Sequence, residues 1–317
     1  MPVAQLPPIG QPHWHFSRMT YPVLEVDPNS LIGDEQLGSK PKAWFLKGGA
    51  EWLFKEARTG TGEDWAEKIA AEVAARVGIE AATVELALCR GRRGSASLSF
   101  INRQTEILFH GNELLAGQIT GYDRNKRQRQ SDHTLENIVA AINRLFPDLA
   151  DIRNGVLTTL ASYMILDALI GNTDRHHENW GLVLTYEGEG ERRALTQLSV
   201  APSFDHASSL GRELADEHRE TLLSLDRIER YVRHGRGGIY LRSEDDHGAN
   251  PLRLVEVAAR LYSEYFRPTL AELAQTPLED LCATVDAIPL DRMSDVARRF
   301  ACRMLTFNYN ALTEVAT

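Results

Sequence analysis

Residues 166–211 read LDALIGNTDRHHENWGLVLTYEGEGERRALTQLSVAPSFDHASSLG. Asp174 and Asn179 stand in one short segment, and Asp205 follows after an apolar run, a glycine-rich turn and a second apolar run. Moving a phosphoryl group requires one carboxylate to orient the attacking hydroxyl and two oxygen ligands to hold a divalent cation against the phosphates. These three side chains, in this order, supply that set. From Val156 to Ile170, the residues Leu157, Leu160, Ala161, Met164, Ile165, Ala168 and Leu169 recur at helical spacing, and Gly171-Asn172 stops the helix. Asp174 to Asn179 is therefore expected on a loop. Leu182 to Tyr186 reads as a strand, Glu187 to Glu191 as its turn, and Ala194 to Val200 as a returning strand that delivers Asp205 beside Asn179.

GNTDRHHEN (171–179) followed by APSFDHASSLG (201–211) resembles the HipA-like serine/threonine kinases, bacterial toxin-type proteins with a protein-kinase-like fold. The resemblance implies Asp174 as the catalytic base, Asn179 and Asp205 as ligands of Mg²⁺, and His176 and Phe204 among the residues around ATP. It further implies a protein substrate, such as an aminoacyl-tRNA synthetase or another translation protein, and an antitoxin-like partner. The same D-R-H-x-x-N order occurs in phosphoinositide kinases, so these residues leave the acceptor open between protein, lipid and small molecule.

Upstream, Leu37-Gly38-Ser39-Lys40-Pro41-Lys42 precedes an apolar strand over Ala43 to Leu46. Gly38 lets the backbone approach a phosphate, and Lys40 and Lys42 offset its charge; an exposed turn has the same composition. Trp52 to Lys55 reads as the next strand, followed by a helix from about Asp64 to Val77 whose buried face is Ile69, Val73 and Val77, ended by Gly78. Lys55 on the strand and Glu67 on the helix form the pair a kinase needs, lysine on the α- and β-phosphates and glutamate bracing the lysine. An isolated Lys and Glu would ordinarily be two solvated side chains; their place ahead of Asp174 favours the pair. The family pattern of a strand lysine, then E-x-x-x-x-x-x-A-x-x-x-G, selects Glu67 over Glu63 and Glu72. Family members often carry serines before the phosphate-loop glycine that become phosphorylated and switch the loop; here Glu35 and Leu37 stand near those places and Ser39 is the nearest hydroxyl.

Thr83 to Leu88 and Ala96 to Phe100, joined by Arg90 to Gly94, read as a hairpin that leads out of the small lobe, which puts Leu98, Ser99 and Phe100 against adenine. The segment Gly121 to Asp132 carries Arg124, Lys126, Arg127 and Arg129, either a solvated loop or a surface for an acidic or RNA-bearing substrate. Leu135 to Phe146 has helical spacing. Beyond Gly211, helices are expected over Glu213 to Leu223, Leu225 to Val232, Leu252 to Tyr265, Leu270 to Ala274 and Met293 to Leu312, with His234 to Asn250 as an exposed loop.

Composition sets the outer bounds. The 317 residues are 43% hydrophobic and 25% charged, as in soluble globular chains, and a net charge of −9 argues against a surface built to bind DNA. Three widely spaced cysteines, no membrane-length apolar run and no leader pattern at the start point to a cytoplasmic protein without disulfides. The expected architecture is α+β and two-lobed: a flexible proline-rich arm over 1–20, a β-rich N-lobe over 21–101 and a helical C-lobe over 102–317. Larger relatives in the family carry a further N-terminal subdomain of roughly a hundred residues, so this chain is expected to resemble the short forms.

Two rival readings stand beside this one. His176, His177 and His206 with Glu178 and Asp205 could form a transition-metal site, although neighbouring histidines diverge on an extended loop and H-E-x-x-H spacing is missing. A non-catalytic pseudokinase is disfavoured by the joint presence of Lys55, Glu67, Asp174, Asn179 and Asp205.

Overall fold

The structure, a computed structural model, describes residues 20–34, 42–188 and 193–316. Its strands are β1 (Val23–Val26), β2 (Leu31–Asp34), β3 (Lys42–Lys47), β4 (Ala50–Glu56), β5 (Val84–Cys89), β6 (Arg92–Leu98), β7 (Glu106–His110), β8 (Gly181–Glu187) and β9 (Ala194–Val200). The helices are α1 (Glu63–Arg76), α2 (Gly111–Gln118), α3 (Leu135–Leu145), α4 (Ala150–Ile170), α5 (Asp216–Ser224), α6 (Ile228–His234), α7 (Pro251–Leu261), α8 (Ser263–Gln275), α9 (Leu278–Asp286) and α10 (Asp295–Ala316). A six-stranded sheet in the order β1-β5-β6-β4-β3-β2 carries α1, and a three-stranded sheet, β7-β8-β9, lies with the other helices. This is the two-lobed, protein-kinase-like arrangement expected, β-rich first and helical after.

The first sheet places Lys55 in register. Antiparallel pairing sets Lys55 opposite Lys42 on β3 and opposite Ser95 on β6, so the two lysines share one face of the sheet. The β5–β6 turn is shorter than the sequence suggests: Arg90 and Gly91 alone occupy it, with φ 51° and 72°, as the right-handed twist of a two-residue hairpin demands. Arg92, Arg93 and Gly94 are strand residues.

Helix α1 runs one residue earlier than expected at its start, with Glu63 and Asp64 complementing the positive end of its dipole. Ile69 and Val73 are fully buried, and Gly78, at φ 68°, supplies the left-handed residue that ends it. The helix is fastened at both ends to the C-lobe. Asp64, 0% exposed, accepts from Arg292 Nη1 at 3.1 Å and from Arg93 Nη2 at 3.1 Å, while Arg76 Nη1 reaches Asp280 O at 3.4 Å.

Helix α4 is the axis of the C-lobe, and it begins at Ala150, a turn and a half before the expected start. Every residue from Val156 to Ile170 is buried except Thr158 and Thr159. Helices α7, α8 and α10 pack around it in one core that also holds Ile69 and Val73 of α1. The expected helix Leu252 to Tyr265 is broken at Tyr262, where φ is −136°, giving α7 and α8. The segment after α6 is less exposed than expected: Ile239 and Tyr240 are buried, and the Tyr240 amide donates to His133 O at 2.9 Å. No helix among the described residues is long and apolar enough to cross a membrane.

Candidate active site

The end of α4 sets the loop from Asp174 to Asn179. Gly171 takes φ 65° as the helix cap, which turns the chain so that Asn172 folds back: its Nδ2 donates to Asp167 Oδ1 at 2.8 Å and its Oδ1 accepts from the Asp174 amide at 3.1 Å. Asp174 is exposed at the tip. Asn179 Nδ2 donates to Asp174 O at 2.8 Å, which fixes the amide and leaves its oxygen as the atom suited to a cation.

Arg175 joins this loop to the segment carrying Asp205. The buried guanidinium makes a two-pronged pair with Asp167 at 2.7 and 2.8 Å, and it donates to Asn179 O at 2.6 Å and to Ser203 Oγ at 2.8 Å. Ser203 Oγ in turn donates to His206 Nε2 at 2.7 Å. Burial, then the neighbouring Arg175, keeps His206 far below the usual histidine range, so the ring is neutral and accepts that bond. Tyr163 on α4 donates to Ala201 O at 2.8 Å and pins the end of β9. Asp205 itself has φ 62°, a left-handed conformation uncommon for a residue with a side chain and found where a site over-determines it.

Across the cleft, Lys55 Nζ lies 3.0 Å from Asp205 Oδ1. Burial alone would pull the Lys55 pKa down, but Asp205 and then Glu67 outweigh it and hold the ammonium above the ordinary lysine range. Glu67, 1% exposed, braces the same corner by accepting the His206 amide at 3.0 Å on Oε1. Glu67 therefore supports Lys55 through charge and supports the Asp205 segment through a hydrogen bond. The lysine's 3.0 Å partner is Asp205, which the sequence reading had placed only with the cation.

Lys42, Lys55, Glu67, Arg127, Asp174 and Asp205 line one cavity of about 120 Å³. Asn179 does not line it and touches it only through the bond to Asp174 O. His176, 7% exposed, faces Arg127, with its Nε2 3.1 Å from Arg127 Nη2. Phe204 packs on Phe100 with ring centroids 5.6 Å apart and on His110 at 6.3 Å, so these two residues, far apart in the chain, meet at one wall. The amides of Leu98 and Ser99 are already engaged, by Thr83 O at 2.9 Å and Glu51 O at 2.8 Å. Leu37, Gly38, Ser39, Lys40 and Pro41, with Glu35, lie outside the described residues, as does the arm over 1–19.

Sequence reasoning missed Arg127, Arg175, Arg212 and Glu63 as parts of the site. Arg212 Nη1 pairs with Glu63 Oε1 at 2.5 Å, and the Gly62 amide donates to Arg212 O at 2.9 Å, tying the start of α1 to the chain beyond Asp205. An arginine's partner is set by tertiary packing, and local pattern carries no sign of it. Only Arg175, beside Asp174, had a usable signal. The alternative histidine metal site gains nothing: no group of three or more His, Cys, Asp and Glu placed to hold a metal occurs among the described residues. Asn179 and Asp205, by contrast, are hard oxygen donors of the kind Mg²⁺ takes, in company with substrate phosphates.

No curated protein sequence matches the chain significantly. Among solved structures it is similar to the Helicobacter pylori proinflammatory kinase CtkA, with 17% identity and a TM-score of 0.75 over 93% of this chain and 99% of that one. It is also similar to HipA of the Shewanella oneidensis MR-1 toxin–antitoxin system, solved with HipB and operator DNA, with 13% identity and a TM-score of 0.54 over 92% of this chain and 66% of that one. At those identities the likeness is one of fold. The family model for the HipA-like C-terminal domain matches residues 30–264, most of the sequence, and the chain belongs to that family.

Proposed function

We propose that the chain is an ATP- and Mg²⁺-dependent kinase that phosphorylates a serine or threonine hydroxyl of a protein. The observation that carries this reading is the cavity uniting Lys42, Lys55, Asp174 and Asp205. Lys42 and Lys55 stand opposite each other on one sheet face, so a triphosphate bound there would meet two positive charges. In this reading Lys55 and Lys42 hold the α- and β-phosphates, and Phe100 and Phe204 flank the adenine.

Asn179 and Asp205 would hold Mg²⁺, which when bound neutralises charge on the phosphate oxygens. Asp174 accepts the proton of the acceptor hydroxyl as its oxygen forms a bond to the γ-phosphorus. The bond from that phosphorus to the bridging oxygen breaks, and ADP leaves with the electron pair. Catalysis is mainly positioning and charge stabilisation. A second cavity, of about 260 Å³, shares Ser208 with the first and reaches Thr173, Tyr231, Arg236 and Met304; we assign the acceptor to this side.

A protein acceptor takes precedence over a lipid because the family resemblance is to protein kinases. A translation protein such as an aminoacyl-tRNA synthetase is the substrate proposed, and an HipB-like antitoxin the partner. A phosphoinositide or small-molecule kinase is the second reading, since the D-R-H-x-x-N order of 174–179 is shared with lipid kinases. Labelling a cell lysate with γ-³²P-ATP and the purified chain decides between them. Acid hydrolysis of a labelled band to phosphoserine or phosphothreonine is the expected result; label confined to a lipid or small-molecule fraction would overturn the protein reading.

A further inference from the structure

Arg127 reaches the active cavity from the basic segment between α2 and α3. Its guanidinium lies against the His176 ring, with Nε 3.2 Å and Nη2 3.1 Å from His176 Nε2, and Nε is 3.5 Å from Glu178 Oε2. The other edge of the ring meets a second donor, the Glu178 amide, 3.2 Å from Nδ1. In either protonation state an imidazole has at most one acceptor nitrogen. It cannot accept from both neighbours.

The conflict falls on the arginine. The Glu178 amide is held in a tight turn in which Asn179 N donates to His176 O at 2.9 Å, whereas the Arg127 side chain is 44% exposed and has room to move. With Nδ1 accepting from the amide, His176 Nε2–H and the guanidinium point hydrogens into the same space. An anion satisfies both.

The cavity identifies the anion. Lys55 lies 3.0 Å from Asp205, and Arg58 and Arg212 both pair with Glu63, on the side of the cavity formed by β4 and α1, where the proposed reading puts the α- and β-phosphates. Arg127 stands on the opposite side, against the ring two residues from Asp174. We propose that Arg127 is a further catalytic residue, its guanidinium binding the oxygens of the γ-phosphoryl group as that group passes from ADP to the acceptor hydroxyl, with His176 Nε2–H beside it. The fork geometry and permanent charge of arginine suit a planar, loosely bonded phosphoryl group. The β-phosphate and ADP remain with Lys55.

This inference rests on the kinase reading, and the test separates the two. Total γ-phosphate transfer from γ-³²P-ATP, to water, to the chain itself and to lysate proteins, is measured for the wild type, Arg127→Ala and Arg127→Lys, and ADP affinity is measured by calorimetry. Arg127→Ala should lose about 100-fold in kcat, as removal of one transition-state donor does, with ADP affinity unchanged, and Arg127→Lys should recover part of the rate. Transfer by Arg127→Ala at the wild-type rate overturns the inference alone. A loss of ADP affinity equal to the loss of rate also overturns it, because the arginine would then serve nucleotide binding or the loop. If the wild type transfers phosphate to nothing, water included, the kinase reading fails and this inference with it.

Discussion

Lys55 Nζ and Asp205 Oδ1 are 3.0 Å apart across the cleft, although 150 residues separate them in the chain. The contact closes the two sides of the site on each other. On the proposed reading a magnesium ion would compete with the lysine for Asp205, and a bound triphosphate would give the lysine new partners. Lys55→Met should therefore lower kcat by about 10²- to 10³-fold, the usual consequence of removing one preorganised charge. Glu67→Gln should act in the same direction and less severely, because Lys55 keeps Asp205. Steady-state rates with saturating ATP check both.

The Arg175–Asp167 pair is a stability prediction with an internal control. Both side chains are nearly fully buried, 6% and 5% exposed, and the arginine also holds Asn179 O and Ser203 Oγ. Arg175→Met leaves Asp167 buried without its cation and should cost about 3–5 kcal/mol. The double variant Arg175→Met/Asp167→Leu should recover much of that in denaturant unfolding without recovering activity, since the link between the loop from Asp174 to Asn179 and Asp205 is still gone.

Arg292 offers a test of coupling between the lobes. It donates to buried Asp64 and to Ala87 O, each at 3.1 Å, so it fixes α1 without itself lining the cavity. Arg292→Met should lower the melting temperature, and it should also reduce the transfer rate by loosening Glu67. A variant that melts early but turns over normally when folded would show that α1 is held by its other contacts.

The buried histidines make stability depend on pH. His133 donates from Nδ1 to Gly238 O at 2.8 Å and accepts from Trp180 Nε1 at 3.1 Å. Burial lowers its pKa to about 3, and His176 is lowered to about 3 in the same way. The unfolded chain, with histidine near about 6.5, binds more protons than the folded one between those values. Stability is thus complete above the unfolded pKa and falls as pH drops through the window, at about 1.4 kcal/mol per pH unit for each group. Unfolding by urea at pH 7 and pH 5 should show the loss, and His133→Phe should narrow the difference.

Much of the site could be read directly from residues 166–211 because the geometry there is local. Asp174 and Asn179 share one turn, and β8 and β9 form a hairpin whose second strand the apolar pattern located at Ala194–Val200, as found. What escaped was set at long range. Strand β7 pairs with β8 from Glu106↔Thr185 to His110↔Gly181, and five residues reading EILFH carry no alternation that announces such a partner. Helix α9 was missed for want of a strong start signal, with Pro277 in place of a capping side chain. The arginines gave the least away. Arg127 in a run of basic residues looks like solvated charge until His176 is seen beside it.

The central claim is that Asp174 takes the acceptor proton at a site whose nucleotide is held by other residues. Transfer from γ-³²P-ATP in Mg²⁺ buffer, compared between wild type and Asp174→Asn alongside ATP binding by calorimetry, tests it most directly. The account predicts that Asp174→Asn binds ATP as the wild type does and transfers no measurable phosphate. Undiminished transfer by that variant would contradict it.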